Sequence, residues 1–316
     1  MTEHANNHSL ESALRVLPVH IRQKVISATL SVTDSVQEVV LRAGRPVCVY
    51  LSGEQKYLTA NGCLTDDFST QKLTVSESKD VIECFNNVCG YSVYSHISEI
   101  KEGFITIKGG HRAGISGTAV VTSGEILNIR DISTVSIRIA REFKGCAENI
   151  TADFEKKSGG LLLCGSPCSG KTTVLRDMAR VLSTEYKRKV SLIDTRGELA
   201  SVYHGISQND VGMSDILDGY PRSVGIEQSV RSLSPEIIIC DEIGSATDAK
   251  ALLSGVNSGV RFIASMHAGN KDELANRNNL KEILKTGAFE EVVFLRGRHA
   301  PGEIISRCSA EAVLND

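Results

Sequence analysis

The chain has 316 residues, a formal net charge of −3 and a hydrophobic content of 41%, so one large or two ordinary domains with real cores are expected. The net negative charge and the 5% aromatic content favour neither electrostatic attraction to nucleic acid nor base stacking, so we expect no nucleic-acid partner. Nine cysteines without a C-x-x-C pair argue against a zinc site and favour reduced thiols. The chain shows no signal-peptide pattern and no apolar run of membrane-spanning length, so we expect a cytoplasmic protein.

Residues 1–143 are predicted to form an α+β domain with mostly antiparallel strands. Helical spacing from Leu10 to Leu30 is interrupted by Pro18, which predicts a break or two short helices. This segment either docks a partner or packs on its own domain, and packing is the simpler interpretation. The other expected elements are strands at Val36–Leu58, helices at Ser76–Cys89 and Tyr91–Ile100, and strands at Phe104–Val121 and Ile126–Arg141.

Residues 144–159 are polar and end in a glycine pair, which is typical of a linker or a short linker helix. From residue 160 to 316, short apolar segments alternate with helical patterns, and this alternation predicts a parallel sheet buried on both faces. The expected elements are strands at 161–164, 190–194, 236–240 and 261–266 and helices at Thr172–Glu185, Ser223–Leu233 and Thr247–Ser258. The fold class is therefore α/β, with a smaller α+β domain before it.

A G-x-x-x-x-G-K-T segment lies between the first of these strands and the first helix, which is the context of a phosphate-binding loop. Its glycines permit backbone angles that a Cβ would forbid, so that backbone N–H groups and the helix N-terminus face an anion. Lys171 would neutralise phosphate charge and the Thr172 hydroxyl would ligate Mg²⁺. The alternative is a chance match in a glycine-rich turn. The candidate nucleotide-binding residues are Gly165, Ser166, Pro167, Cys168, Ser169, Gly170, Lys171, Thr172 and Thr173.

Ionisable side chains follow three of the other predicted strands, where ligands bind in open α/β sheets. Asp241 would hold Mg²⁺, and Glu242 would polarise the attacking water. Asp194 and Glu198 would complete the metal and water shell, unless they belong to a solvated loop. His267 would sense the γ-phosphate or orient groups between subunits, where the alternative is a structural histidine.

Three arginines precede the predicted linker: Arg130, Arg138 and Arg141. The ordinary fate of such residues is surface solvation. The alternative is that one or two of them reach a nucleotide as charge-neutralising fingers.

The segments GSPCSGKTT, LIDTRGEL, IIICDEIG and IASMHA, in this order, resemble the four boxes of the secretion ATPase superfamily, the type II and type IV pilus motors. Within it, the sequence is most similar to the stage III sporulation protein AA family of endospore-forming bacteria. The resemblance covers roughly Val36–His267. The supporting segments are IKGGHRAGISG, NIRDISTVSIRIARE, VLRDMARVLS and RSLSPEIIICDEIG.

The resemblance implies a RecA-like ATPase core, a sensor-like N-terminal domain, ATP and Mg²⁺ as ligands, and a hexameric ring. It places the nucleotide between the domains, with arginines from the N-terminal domain of the same or the adjacent subunit. It also implies a peripheral protein on the mother-cell side of a channel to the forespore, with membrane-embedded channel proteins as partners.

Two positions depart from the superfamily pattern. Cys168 replaces a glycine, and it is either an oxidisable thiol or an inert small residue. Thr195 stands where an acidic residue usually follows Asp194. The Thr195 substitution favours a second hypothesis, an ATP-binding scaffold with little turnover, beside the main hypothesis of an ATPase motor. A RecA-type nucleic-acid translocase is disfavoured by the net acidity.

Overall fold

The computed structural model describes residues 9–69, 72–275 and 278–315. The chain divides into two compact units, Met1–Arg141 and Glu142–Asp316, whereas the sequence predicts a boundary after residue 143. Residues 1–8 and 316 of the predicted domains lie outside the described residues.

The first unit is built on a seven-stranded antiparallel sheet in the order β5-β4-β3-β1-β9-β8-β7. The break at Pro18 separates the first two helices, and the predicted helix at Tyr91–Ile100 is a 3-10 turn at Val93–His96 followed by α4. The elements of this unit are α1 (residues 9–14), α2 (Val19–Thr29), β1 (Val36–Arg42), β2 (Arg45–Pro46), β3 (Cys48–Leu51), β4 (Glu54–Leu58), β5 (Leu64–Thr65), β6 (Val75–Ser76), α3 (Ser78–Val88), α4 (Ile97–Glu102), β7 (Phe104–Ile107), β8 (His111–Thr122) and β9 (Glu125–Arg138).

The helices of the first unit share one apolar core with its sheet. Leu14 of α1, Ile21 of α2 and Phe85 of α3 lie in the same buried cluster as Val39 of β1 and Ile137 of β9. Each fully buried aliphatic or aromatic side chain contributes about 1.5–3 kcal/mol. The amphipathic helices are therefore held by the sheet, as the packing interpretation of the N-terminal helices predicts.

The second unit contains a seven-stranded sheet in the order β14-β11-β15-β16-β10-β17-β18. All neighbouring pairs are parallel except β17 and β18. The elements are α5 (Glu148–Glu155), β10 (Leu161–Cys164), α6 (Lys171–Thr184), β11 (Val190–Asp194), β12 (Val202–Tyr203), β13 (Ile206–Ser207), β14 (Asp215–Asp218), α7 (Arg222–Ser232), β15 (Ile237–Cys240), α8 (Ala246–Asn257), β16 (Arg261–Met266), α9 (Lys271–Ala275), α10 (Asn278–Lys285), β17 (Glu291–Leu295), β18 (Ile304–Ser309) and α11 (Ala310–Leu314).

Both faces of this sheet are covered, as its continuous apolar strands predict. In β10, Leu161 and Leu163 belong to a core cluster with α5 and α6, while Leu162 and Cys164 belong to a second cluster with α7 and α8. Helix α5 lies in the segment predicted as a linker. Because its Phe154 is buried in the first of these clusters, α5 packs as part of the second unit.

Strands β11, β15, β16 and β10 are consecutive neighbours in the sheet and run parallel. Their carboxyl ends therefore lie side by side along one edge. Among the described residues, no helix is long and apolar enough to cross a membrane.

Candidate functional site

Each of the four neighbouring strands delivers one of the predicted segments to the same edge of the sheet. Strand β11 ends at Asp194, β15 leads into Asp241, β16 leads into His267, and β10 leads into the loop 165–170. Parallel strands present such residues to one crevice, which is where open α/β sheets bind ligands.

The loop between β10 and α6 is closed too tightly for side chains at its two glycines. A Cβ at Gly165 would lie 2.4 Å from Ser169 Oγ, and one at Gly170 would lie 2.7 Å from the backbone nitrogen of Gly302. Gly170 also has φ +90° at the N-cap of α6, a conformation that glycine adopts most readily. Residues 165–170 therefore form a compact loop that ends at the N-terminus of α6.

The exposed residue Cys168 has φ +63°, in the left-handed region that favours glycine. A glycine would adopt this conformation without strain, whereas a cysteine adopts it at a cost of about 1 kcal/mol.

The Lys171 ammonium group is held inside the loop. Its Nζ donates to the carbonyl oxygens of Gly165 (2.8 Å) and Ser166 (3.0 Å) and contacts Nδ1 of His267 at 3.2 Å. Burial lowers the pKa of Lys171, and the charge of Glu242 opposes that effect. The three N–H groups of the Lys171 ammonium can therefore all donate at the loop. Each of them can donate to an anionic oxygen in place of its present partner.

His267 connects Lys171 to Glu242. The Nε2 atom lies 2.6 Å from Glu242 Oε1, and the Lys171 ammonium can only donate, so Nδ1 accepts and Nε2–H donates to the carboxylate. The other oxygen, Oε2, lies 2.9 Å from Nη1 of Arg196. Lys171, His267, Glu242 and Arg196 therefore form one continuous chain of polar contacts.

Asp241 is a buried carboxylate, with 4% of its surface exposed. Burial raises its pKa to about 6; Arg222 opposes this, and the neighbouring carboxylates Asp194, Glu198 and Glu242 reinforce it. Nη2 of Arg222 lies 3.5 Å from Asp241 Oδ1. A buried carboxylate with three other carboxylates nearby and one arginine beside it is electrostatically suited to a further cation.

Asp194 is engaged by the loop that follows it. Its Oδ1 accepts from the backbone N–H of Glu198 (2.8 Å), and its Oδ2 accepts from those of Leu199 (3.1 Å) and Ala200 (2.8 Å). This geometry favours a loop-holding role for Asp194 over direct contact with a metal or water. Glu198, on the same loop, is half-buried and remains a candidate.

The residues present fit a magnesium ion of the kind that phosphate-binding loops share with a nucleotide. Asp241 Oδ1 and Ser169 Oγ are buried and have no hydrogen-bond partner among the described residues. No group of three or more His, Cys, Asp or Glu side chains in the described part of the chain forms a metal cage. Mg²⁺ bound beside phosphates needs only one or two protein oxygens, and Thr172 and Asp241 stay the residues predicted to supply them.

The three predicted finger arginines belong to the first unit. Arg130 and Arg138 are exposed, and Arg130 lies 3.5 Å from Asp131. Arg141 donates from Nη2 to the carbonyl of Val36 at 2.7 Å, and burial lowers its pKa. A finger role for any of them stays a prediction.

Sequence reasoning missed two arginines at the site. Arg196 lies within the LIDTRGEL segment, so its position beside Glu198 was a signal that could have identified it. Arg222 begins α7 and contacts both Asp241 and Asp248. Its sequence context, a helix start after a proline, carries no signal of a contact with β15.

Solved structures share this arrangement of elements. The pilus retraction motor PilT, crystallised with bound ADP, is similar over 89% of this chain and 78% of its own, with a TM-score of 0.56 and 15% identity. The Legionella pneumophila ATPase DotB is similar over 82% and 72%, with a TM-score of 0.51 and 16% identity. The chain therefore has the secretion ATPase fold, with a RecA-like core and an N-terminal antiparallel domain, and the predicted fold class is confirmed.

The chain belongs to the family described as sporulation stage III, protein AA, whose model matches residues 7–310. Stage III sporulation protein AA of Bacillus subtilis (strain 168) is 35% identical over 275 residues, which cover 85% of each chain. The uncharacterized protein ycf45 of Porphyra purpurea is 27% identical over 278 residues, which cover 87% of this chain and 43% of that protein. The predicted family resemblance is confirmed.

Proposed function

We propose that this chain is a Mg²⁺-dependent ATPase of the secretion ATPase type. The observation that carries the proposal is the contact chain at the sheet edge, where one imidazole joins the phosphate-loop lysine to the carboxylate after β15. The ADP bound by PilT supports a nucleotide ligand for this fold. Membership of a sporulation family supports a role in sporulation.

In this proposal, Lys171 exchanges the carbonyl oxygens of Gly165 and Ser166 for phosphate oxygens. Thr172 and Asp241 would hold Mg²⁺, which would neutralise charge on the β- and γ-phosphates. Glu242 accepts a proton from the attacking water while His267 Nε2–H holds its Oε1. Catalysis then comes mainly from positioning and charge stabilisation.

The wider role rests on the superfamily resemblance. We propose an oligomeric ring, a hexamer, that energises assembly or transport at a mother cell–forespore channel. The ring would lie on the cytoplasmic, mother-cell side and engage membrane-embedded channel proteins. One or two of Arg130, Arg138 and Arg141 would act as fingers, within a subunit or between subunits.

Phosphate release by the purified full chain tests the catalytic assignment. Glu242→Gln should lower kcat by about 100-fold or more, because it removes the general base, while ATP binding is retained. Lys171→Ala should abolish turnover and weaken ATP binding. Glu227→Gln and Lys250→Ala, which change exposed residues of α7 and α8, are the matched controls. Unchanged turnover in either site variant would refute the assignment.

A second candidate function is an ATP-binding scaffold with little turnover. It is favoured by Thr195, whose buried hydroxyl has no hydrogen-bond partner among the described residues at a position that is usually acidic in the superfamily. ATP binding by the parent chain, with phosphate release no faster than in Glu242→Gln, would decide for the scaffold.

A further inference from the structure

The loop that follows β11 is held by hydrogen bonds to both its backbone N–H groups and its carbonyl oxygens. The Asp194 carboxylate accepts hydrogen bonds from the N–H groups of residues 198–200. From α6, Arg176 Nε donates to the carbonyl oxygen of Leu199 (2.8 Å) and Nη2 to that of Glu198 (2.7 Å). Nδ2 of Asn209 also donates to Leu199 O (2.9 Å). A loop with this many charge-assisted contacts has little freedom to move.

Arg196 extends from this anchored loop to Glu242. Its side chain is 60% exposed, whereas the Glu242 side chain is 27% exposed, and Nη1 lies 2.9 Å from Oε2. Because the Arg196 side chain is mostly exposed, solvent screens this ion pair and its contribution to stability is small. The contact instead places a guanidinium group beside one oxygen of the Glu242 carboxylate.

The backbone and carboxylate of Glu242 are constrained at several points. Glu242 has φ +32°, a conformation that is strained for a non-glycine residue, and its N–H donates to Ser265 Oγ at 3.1 Å. The last torsion of a glutamate side chain is intrinsically broad, so one contact leaves the carboxylate free to rotate. With His267 on Oε1 and Arg196 on Oε2, both oxygens are fixed.

We propose that Arg196 is a positioning residue that fixes the orientation of the Glu242 carboxylate opposite His267. This inference rests on the proposed function, because it assigns Glu242 the role of general base. In this proposal Arg196 acts through Glu242, and the three contacts of Lys171 described above do not involve Arg196. Its loss should therefore affect the chemical step and leave nucleotide affinity unchanged.

Steady-state ATP hydrolysis by the full chain tests the proposal. Arg196→Ala should lower kcat by about 10- to 100-fold, the usual effect of misplacing a reacting group by about 1 Å, with KM for ATP within about two-fold of the parent value. Arg196→Lys should recover part of kcat, because it restores a cation without the planar fork. Arg231→Ala, which removes an exposed arginine 3.1 Å from Glu227, is the matched control and should leave kcat unchanged.

A double-variant cycle separates positioning from other effects. In a Glu242→Gln background, Arg196→Ala should cause no further loss of kcat. The proposal is overturned if the same loss persists in that background. It is also overturned if Arg196→Ala raises kcat, which would make the contact an inhibitory one, or raises KM with kcat unchanged.

Crystal structures of the parent and of Arg196→Ala test the geometry without turnover. The Glu242 carboxylate should adopt one orientation in the parent and more than one in the variant. A single, unchanged orientation in both would overturn the proposal. A parent chain that binds ATP without hydrolysing it would contradict the proposed function alone, and the crystallographic comparison would still decide the role of Arg196.

Discussion

At the residue scale, the hydrogen bonds of Asp194 suggest a role for this carboxylate that its position in the sequence does not. The sequence places it at a strand end, where metal ligands and general bases are common. In the structure it accepts three backbone N–H groups, and hydrogen bonds to a charged acceptor are each worth about 1.5–3 kcal/mol. These hydrogen bonds hold the loop that carries Arg196 and Glu198, and the catalytic role of Asp194 stays a prediction.

We expect Asp194→Asn to destabilise the fold by about 2–3 kcal/mol, because an amide nitrogen in place of one oxygen would face backbone N–H donors. Urea unfolding at pH 7 measures the change. Asp153→Asn is the control, since the ion pairs of Asp153 with Lys156 and Arg307 lie at the surface, and it should change stability by less than about 1 kcal/mol. Equal effects of the two substitutions would contradict the loop-holding role.

The strand-end residues of the site could be found from the sequence, because apolar runs followed by Asp241, Glu242 and His267 have a recognisable pattern. The contacts of Arg196 and Arg222 could not be found in this way. They join residues 46 and 19 positions apart in sequence (242 − 196 and 241 − 222), and only the strand order of the sheet brings those residues together.

At the element scale, the turn at Gly109 and Gly110 leads into β8, whose first residue, His111, contacts both α1 and the segment after β9. The backbone N–H of Ala140 donates to His111 Nδ1 at 3.0 Å, and His111 Nε2 lies 2.7 Å from Ser12 Oγ. A Cβ at Gly109 would lie 2.6 Å from His111 Nε2. The GGHR segment therefore has a structural explanation in the first unit, which its sequence alone did not reveal.

His111 should make the stability of the first unit depend on pH. Burial lowers its pKa to about 4, against about 6.5 in an unfolded chain. The folded form thus resists protonation, so its contribution is present above pH 6.5 and is lost as the pH falls toward 4. Between pH 7 and pH 5 the loss should be about 2 kcal/mol.

Urea unfolding at pH 7 and pH 5 checks this pH dependence. His111→Asn, which keeps an acceptor for Ala140 and cannot titrate, should show a smaller loss between the two values than the parent. His20→Asn changes a histidine whose side chain is 56% exposed and should keep the parent's slope. An unaltered slope in His111→Asn would contradict the assignment.

Most of the central elements of the second unit follow from short apolar strands and helical spacing, and their observed bounds differ from the predicted ones by a residue or so. Strands β14 and β18 were missed. Only one residue of β14 and none of β18 is buried, since both strands lie at the edges of the sheet. Edge strands lack the continuous apolar run that identifies a central strand.

At the scale of the whole molecule, the proposed ring requires subunits to associate. Sedimentation velocity of Glu242→Gln with Mg²⁺ and ATP tests this, because the variant should bind nucleotide without consuming it. We expect the sedimentation coefficient to increase toward that of a hexamer on adding ATP, and Lys171→Ala to show no such increase. A monomer in every condition, with ATP bound, would contradict the ring.

The finger arginines also belong to this scale. Arg141 donates to the carbonyl of Val36, whereas Arg130 and Arg138 are exposed, and a finger role stays a prediction for all three. A finger acting between subunits would need the ring, whereas one acting within a subunit would not.

The most direct measurement is a crystal structure of the full chain with Mg²⁺ and a non-hydrolysable ATP analogue. We expect Lys171 Nζ to leave the carbonyl oxygens of Gly165 and Ser166 and to lie within hydrogen-bond distance of the β- and γ-phosphate oxygens, with the metal beside Thr172 and Asp241. An analogue bound away from this loop, or one bound there while the metal contacts neither residue, would contradict the proposed ATPase site.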